Sequence, residues 1–237
     1  MARQRKSLNT RLLRELTTAR KRDMQINSFS DVNLGIVCPM ANESDNAESF
    51  VGDVLNVCKQ FDFQSIKMYT IFDNKCTDGT YSLLKGVAPG LPELVVIFAP
   101  ENRSVVDAYL RGYREALKDN RDWILEIDAG YSHQPTDIPQ FFTKMKEGYA
   151  CVFGSRFCRG AKVTDRVLKR YLIALGGTLL TNFLLKTRLT DMTGGFELFP
   201  DGSHETNVRL ENEGAGRDVG MRGDRQEKPD KNPAPVF

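Results

Sequence analysis

The chain has 237 residues, of which 41% are hydrophobic and 27% charged, a composition typical of a globular protein with room for one large α/β domain. Its net charge of +2 is unevenly spread, because residues 1–30 hold eight basic and two acidic residues whereas residues 201–237 hold six basic and eight acidic ones. The positive charge therefore lies on an N-terminal arm, and the composition argues against a nucleic-acid-binding protein.

The cysteines indicate a reducing compartment. Their number is odd and they form no C-x-x-C pair, which excludes a disulfide framework and a zinc finger; they are Cys38, Cys58, Cys76, Cys151 and Cys158. The sequence also lacks the apolar segment of a secretory signal and any run of 18 apolar residues. We therefore expect a cytoplasmic protein, either free or peripheral at the cytosolic face of a membrane.

The first third of the chain predicts a basic helix and two strands. Residues 6–23 place leucines along one side and arginines around them, as in a helix that packs on its own domain or one that lies on an anionic membrane surface. An apolar strand at 34–39 stops at a proline, and a helix follows at about 47–61. A second strand at 65–72 ends in a run of turn-forming residues, 73–80.

The same order of strand, loop and helix continues along the chain. Further strands are predicted at 94–98, 123–128 and 150–154. Further helices are predicted as a short one between the second and third strands, at 105–118, from about 137, and at 167–185. Repetition of this unit predicts a mostly parallel sheet covered by helices on both faces, a three-layer α/β/α sandwich.

Two acids stand at the end of the fourth predicted strand. The alternation of side chains places Glu126 and Asp128 on one face, with Cα atoms about 6.6 Å apart. In open α/β sheets, ligands bind outside the carboxyl ends of the strands. Asp128 is therefore well placed for chemistry, and Glu126 is near enough to share a cation with it if the chain bends there.

Every predicted parallel strand is followed by polar side chains suited to bind a nucleotide or a phosphate. They are Asn42, Glu43, Asp73, Asp78, Asn102, Arg103, Asp128 and Arg156. Five such loops at one sheet edge predict a ligand-binding crevice. The sequence contains no G-x-G-x-x-G, no G-x-x-x-x-G-K-[ST] and no G-x-S-x-G, which argues against dinucleotide enzymes, P-loop NTPases and serine hydrolases.

Five ordered segments within residues 33–199 resemble motifs of the family-2 glycosyltransferases with the GT-A fold. Residues 37–43 resemble "P-x-x-N-E", 72–80 resemble "D-D-x-S-x-D-G-T", 128–139 resemble "D-A-D-L-S-H-x-P-x-D-I-P", 153–157 match "G-S-R-Y/F" and 189–198 match "D-x-T-S-G-F-x-L". The set is most similar to the polyprenol-phosphate branch, the dolichol-phosphate mannose synthase-like enzymes.

This resemblance implies an inverting glycosyltransferase of the hexosyltransferase type with a nucleotide-diphospho-sugar donor. The implied donor-binding residues are Pro39, Asn42, Glu43, Asp73, Asp78, Asn102 and Arg103. Among them, Glu43 and Asp73 would contact the base and the ribose. Asp128 and Arg156 would be catalytic, Asp128 as the first acid of D-x-D. With Glu126, Asp128 would hold Mg²⁺ or Mn²⁺ against the diphosphate, and Arg156 would bind a phosphate by forked hydrogen bonds.

The acceptor implied by the resemblance is a polyprenyl phosphate or, more broadly, a partner at a membrane surface. A phosphate oxygen is already anionic and needs no general base, whereas a saccharide or protein hydroxyl needs one, and no obvious base appears. In this branch the segment matching 167–185 is a membrane-facing helix, so that segment is either such a helix or a core helix. Transfer to a hydroxyl, and nucleotide-sugar binding without catalysis, remain as alternatives.

Two departures from the family pattern motivate the non-catalytic alternative. Gly130 stands where the second acid of D-x-D is expected, and Asn74 stands where another acid is common. The resemblance also stops after Phe199, and residues 201–237 have the composition of a disordered tail. We therefore predict an arm at 1–30, a glycosyltransferase-like domain at 31–200 and a tail at 201–237. The sugar, the nucleotide base and the oligomeric state stay open.

Overall fold

The computed structural model describes residues 26, 28–149, 151–155, 157, 168–185, 190–191 and 194–201. Within them, six strands form one sheet in the order β3-β2-β1-β4-β6-β5. The strands are β1 (Asn33–Pro39), β2 (Ser65–Phe72), β3 (Leu94–Phe98), β4 (Trp123–Glu126), β5 (Val152–Phe153) and β6 (Glu197–Pro200). Residues 1–25 and 27 of the predicted arm, residues 202–237 of the predicted tail and Arg156 lie outside the described residues, and so the predicted domain limits stay predictions.

Five α-helices occur in the described part of the chain. They are α1 (Ala47–Cys58), α2 (Thr80–Val87), α3 (Val105–Lys118), α4 (Ile138–Lys146) and α5 (Leu168–Leu185), with short 3₁₀ turns at Ala88–Gly90 and Pro135–Asp137. Helix α3 begins with a capping box, in which the Ser104 hydroxyl accepts from the Asp107 N–H and the Asp107 carboxylate accepts from the Ser104 N–H. No helix in these ranges is long and apolar enough to cross a membrane.

The mostly parallel sheet is confirmed. Strands β1 to β4 pair in parallel, whereas β6 runs antiparallel between β4 and β5. The sequence analysis missed β6 and placed some ends too far along the chain: β4 ends at Glu126, α1 ends at Cys58, and β5 has two residues. The assigned strand β4 ends at Glu126, although the Ile127 N–H still donates to the Val37 carbonyl of β1 at 3.1 Å.

Each face of the sheet has its own core. One face, which includes Leu34, Ile36 and Leu125, packs beneath α1 and α4. The other packs beneath α3, with Ile124 and Phe199 among its buried residues. Helix α3 approaches very closely, since a Cβ added at Gly112 would lie 2.3 Å from Val37 Cγ1. This contact fixes the height of α3 above the sheet, and with it the position of two tyrosines described below.

Candidate active site

The carboxyl ends of β1, β2 and β4 bring most of the predicted site residues to one edge of the sheet. Because β1 lies between β2 and β4, the loop after β1 contacts the loops that follow both neighbours. The Glu43 N–H donates to Thr80 Oγ1 at 2.8 Å on the β2 side. The Glu43 carboxylate reaches the β4 side, where it lies against Gly130. Pro39 ends β1 directly below this loop.

Asn42 clamps the two loops after β1 and β2. Its Nδ2 donates to the Lys75 carbonyl at 3.0 Å, and its Oδ1 accepts from the N–H of Thr77 at 2.9 Å and of Asp78 at 3.2 Å. Asn42 adopts φ +58, a left-handed conformation that asparagine tolerates better than most residues. The side chain predicted to bind a nucleotide therefore uses its amide to organise the loops.

Asp78 belongs to the same clamp. One of its oxygens accepts from the N–H and hydroxyl of Thr80, and the other accepts from the Ser44 N–H at 3.1 Å. These hydrogen bonds, those from Thr80 first, hold the pKa of the Asp78 carboxyl well below its usual range. Burial and then the charge of Asp78 raise the pKa of neighbouring Glu43. The two acids therefore differ: Asp78 is anchored by hydrogen bonds, and Glu43 carries a charge that its surroundings disfavour.

The loops after β2 and β3 form the other side of the edge. Asp73 is buried, and its carboxylate accepts from the Lys75 N–H at 2.8 Å. The Lys75 ammonium donates to the Arg103 carbonyl at 2.9 Å and thereby joins the two loops. Asn102 Nδ2 is buried and has no hydrogen-bond partner within the described part of the chain. A buried donor of this kind is suited to an acceptor atom of a ligand.

Asp128 is held from two directions. The Tyr109 hydroxyl of α3 donates to Asp128 Oδ1, and His133 Nε2 lies 3.8 Å from Oδ2. The Asp128 N–H donates to His133 Nδ1 at 3.1 Å, which leaves the ring proton of a neutral histidine on Nε2, facing the carboxylate. His133 also stacks on Phe196, with ring centroids 4.9 Å apart. The Asp128 side chain remains 44% exposed and faces the crevice.

Glu126 accepts a hydrogen bond from α3, the same helix that holds Asp128. The Tyr113 hydroxyl, one turn after Tyr109, donates to Glu126 Oε2. A Cβ built on Gly195 would lie 3.2 Å from Glu126 Oε1 and 3.3 Å from Asp128 Oδ1. The prediction that the two acids share a face is thus confirmed. Glu126 is, however, 9% exposed, so it presents far less of its carboxylate to the crevice than Asp128 does.

The sequence analysis did not assign the residues that hold these acids. Tyr109 and Tyr113 lie four residues apart on an amphipathic helix, the ordinary spacing of core residues. Burial and then the charges of Asp128 and Glu126 raise the pKa of the Tyr109 hydroxyl, which keeps it protonated and able to donate. The available signal in the sequence was the spacing of the two tyrosines on one helix face. Their contact with the two acids can be recognised only once the fold is known.

Helix α5 exposes its apolar side. Ala174 and Thr178 are buried on one side of the helix, and Phe183 is 80% exposed on the other. The same exposed side carries Leu172, Ile173, Leu179, Leu180 and Leu184. The interpretation of this segment as a core helix is therefore wrong. The residues that flank α5 contact each other, since Thr190 Oγ1 donates to Ser155 Oγ at 2.8 Å. Further along the chain, Gly195 adjoins Asp128.

A mostly parallel sheet with acids and amides gathered at the carboxyl ends of its strands is the architecture of a ligand-binding α/β protein. The model of the family "Glycosyl transferase family 2" matches residues 36–206, so the chain belongs to glycosyl transferase family 2. The predicted family and enzyme class, a glycosyltransferase, are thereby confirmed.

Curated relatives of the chain carry names of one kind. It is 26% identical over 165 residues to the polyprenol monophosphomannose synthase of Mycolicibacterium smegmatis, a match that covers 69% of this chain and 60% of that protein. It is 29% identical over 129 residues to the undecaprenyl-phosphate mannosyltransferase of Micrococcus luteus, covering 54% and 53%. The dolichol-phosphate mannosyltransferase of Pyrococcus furiosus is 25% identical over 167 residues, covering 70% and 45%. The chain thus spans about half the length of the curated relatives it matches.

Solved structures of similar fold are more distant. Glucosyl-3-phosphoglycerate synthase from Mycobacterium tuberculosis in complex with UDP has a TM-score of 0.45 and 19% identity, covering 72% of this chain and 57% of that one. Mannosyl-3-phosphoglycerate synthase from Rubrobacter xylanophilus has a TM-score of 0.48 and 17% identity, covering 77% and 56%. At these values the likeness carries no conclusion about substrates.

Proposed function

We propose that this chain is an inverting glycosyltransferase that moves a sugar from a nucleotide-diphospho-sugar to a polyprenyl phosphate at a membrane surface. The observation that carries the proposal is the apolar side of α5, which is exposed although the chain returns from this helix to the Asp128 site at Gly195. Large exposed apolar patches mark sites of contact with membranes or partners. The names of the three curated relatives each join mannose to a polyprenol, undecaprenyl or dolichol phosphate, and they support the same acceptor.

The residues present fit a divalent cation, which the family implies. No group of three or more His, Cys, Asp or Glu side chains suited to a metal occurs in the described ranges. Mg²⁺, however, is usually bound through one or two carboxylates together with substrate phosphates, so such a cage is not required. The half-exposed carboxylate of Asp128 is the donor that faces the crevice, and a cation there would neutralise the diphosphate leaving group.

The remaining side chains divide into those that bind and those that organise. We propose that Asp73 and Glu43 contact the base and ribose end of the donor, and that the unpartnered amide of Asn102 donates to it. Arg103 and Arg156 supply positive charge for phosphate groups. Asn42 and Asp78 shape the loops rather than touch the donor, since their polar atoms are engaged in the clamp.

The chemistry needs no strong general base. An oxygen of the acceptor phosphate attacks the anomeric carbon while the bond from that carbon to the nucleoside diphosphate breaks, which inverts the configuration. The attacking oxygen is already an anion, so no proton has to be removed. Tyr109 accordingly serves to orient the Asp128 carboxylate, to which its hydroxyl donates, and His133 holds the Asp128 backbone by accepting from its N–H.

The direct test is to supply GDP-mannose, UDP-glucose and related donors with Mg²⁺ or Mn²⁺ and to follow transfer to undecaprenyl or dolichyl phosphate in detergent. We expect a glycosyl phosphate product with inverted configuration, and none with Asp128→Asn. Transfer to a saccharide or peptide hydroxyl instead would show that the acceptor is a hydroxyl group and would refute the polyprenyl phosphate acceptor. Donor binding without transfer to any acceptor would leave a non-catalytic nucleotide-sugar-binding protein.

The role of α5 has its own test with a matched control. Leu180→Ser combined with Phe183→Ser removes exposed apolar surface from α5, and Leu110→Ser combined with Leu117→Ser removes a smaller exposed apolar surface from α3. We expect the α5 variant to lose flotation with anionic vesicles and to raise the KM for the polyprenyl acceptor, with the KM for the donor unchanged. Equal losses in both variants, or none in either, would contradict the proposed membrane contact.

A further inference from the structure

Gly130 leaves a space that the carboxylate of Glu43 fills. Gly130 adopts φ +72, in the left-handed region, and a Cβ added to it would lie 2.6 Å from Glu43 Oε1 and 2.7 Å from Glu43 Oε2. No real Cβ tolerates such distances, so a side chain at 130 and the present position of the Glu43 carboxylate exclude each other. The acid missing from position 130 is thus replaced in space by one from another loop.

Glu43 is built into this position from its own side of the crevice. Its N–H is fixed by Thr80 Oγ1, and the Thr80 N–H and hydroxyl are held in turn by Asp78. The residue therefore starts from a rigid backbone and extends its carboxylate across to the loop after β4. Two residues before Gly130 in that loop stands Asp128, whose carboxylate is oriented by α3.

The Glu43 carboxylate reaches the loop that carries Asp128. Asp128 follows β4, the strand next to β1, and the Glu43 carboxylate lies against Gly130, two residues after Asp128. Burial, then the charge of Asp128, then that of Glu43 raise the pKa of the buried Cys38 thiol near the end of β1. Two like charges brought together in this way are an arrangement that a cation stabilises.

We propose that Glu43 supplies the second carboxylate of the cation site, in the place of the side chain that Gly130 lacks, so that Asp128 and Glu43 together receive the cation of a metal–nucleoside diphosphate. This inference deepens the proposed function and rests on it. It also gives Glu43 a role beyond the base and ribose contact that the motif implies. The departure from D-x-D then marks an acid moved to another loop and leaves the charge of the site intact.

The inference predicts a rescue. Glu43→Ala should weaken the binding of Mn²⁺ with GDP or UDP by about tenfold or more, because one of two carboxylates is removed. Gly130→Asp alone should bring no gain, since the new side chain competes with Glu43 for one space. Glu43→Ala combined with Gly130→Asp should recover most of the lost affinity, because aspartate is among the residues that best tolerate the left-handed region and the space is now open.

The measurements are Mn²⁺ binding by electron paramagnetic resonance with and without GDP or UDP, and calorimetric titration of each nucleotide with and without Mn²⁺. Glu48→Ala, which removes an exposed acid from α1, is the control and should bind as the wild type does. Circular dichroism melting of each variant separates lost folding from lost binding. If the double variant is unfolded, Glu43→Gln takes its place, and Mn²⁺ should then raise its nucleotide affinity by a much smaller factor than it does in the wild type.

The outcomes separate the inference from the proposed function. Metal-dependent binding that survives Glu43→Ala in a folded chain, or a folded double variant with no recovery, would overturn the role of Glu43 and leave the transferase proposal standing. Failure of the wild-type chain to bind any nucleotide, with or without Mn²⁺, would overturn both.

Discussion

Replacing Asn42 by alanine should destabilise the protein by about 2.5 kcal/mol. The change removes the hydrogen bonds from Asn42 to the Lys75 carbonyl and to the N–H groups of Thr77 and Asp78. Because Asn42 is exposed and water can take its place, each bond is worth the low end of the usual range, about 0.5 kcal/mol. Alanine at φ +58 adds about 1 kcal/mol of backbone strain.

A loss of this size should lower the melting temperature by about 5–10 °C for a chain of this length. Asn74→Ala is the matched control: Asn74 is also exposed in the neighbouring loop, but it makes one hydrogen bond, to the Pro100 carbonyl, at an ordinary φ. Differential scanning calorimetry measures both, and nucleotide titration below the transition measures binding. An Asn42→Ala variant that melts like the wild type but binds nucleotide weakly would refute the clamp and make Asn42 a donor contact.

Two further predictions concern the framework of the site. Gly112→Ala should lower the free energy of unfolding by about 1–3 kcal/mol, because the new Cβ overlaps Val37. The control is Gly52→Ala on α1, whose new Cβ meets no atom within 4 Å and which should be neutral or stabilising. Urea unfolding measures both variants, and equal effects would contradict the close approach of α3. Asp78 has a pKa below its unfolded value of about 3.9, so its contribution to stability is present above that pH and is lost as the pH falls through the lower folded pKa. The melting temperature should therefore fall below about pH 4 more steeply in the wild type than in Asp78→Asn, and parallel curves would show that the bonds to Thr80 contribute nothing.

Local patterns in the sequence determined the order of strands and helices in this protein and the class of its fold. Apolar runs ending in turn formers gave the order of strands and helices, and the repeated unit gave the parallel sheet, because a parallel connection requires a crossover that the intervening helices supply. The two-residue period of a strand was sufficient to place Glu126 and Asp128 on one face. The ordered motifs were sufficient to indicate the family, which the match over residues 36–206 confirmed.

The tertiary structure decided what each polar residue does. Asn42 clamps a loop 36 residues away, Tyr109 holds Asp128 from 19 residues away, and Glu43 fills the space beside Gly130. No period in the sequence encodes such contacts, because they depend on how the loops close after the strands have paired.

The same limit applies to α5 and β6. Composition gives the amount of apolar surface on α5 but does not say which side the protein covers, and the structure leaves Phe183 and its neighbours exposed. Strand β6 has four residues and was read as part of a motif, although it separates β4 from β5. The local sequence determines which groups a segment can bury and which hydrogen bonds it can donate. Which partner the segment meets depends on the packing of residues that lie far apart in the sequence, and in this protein that packing assembles the site.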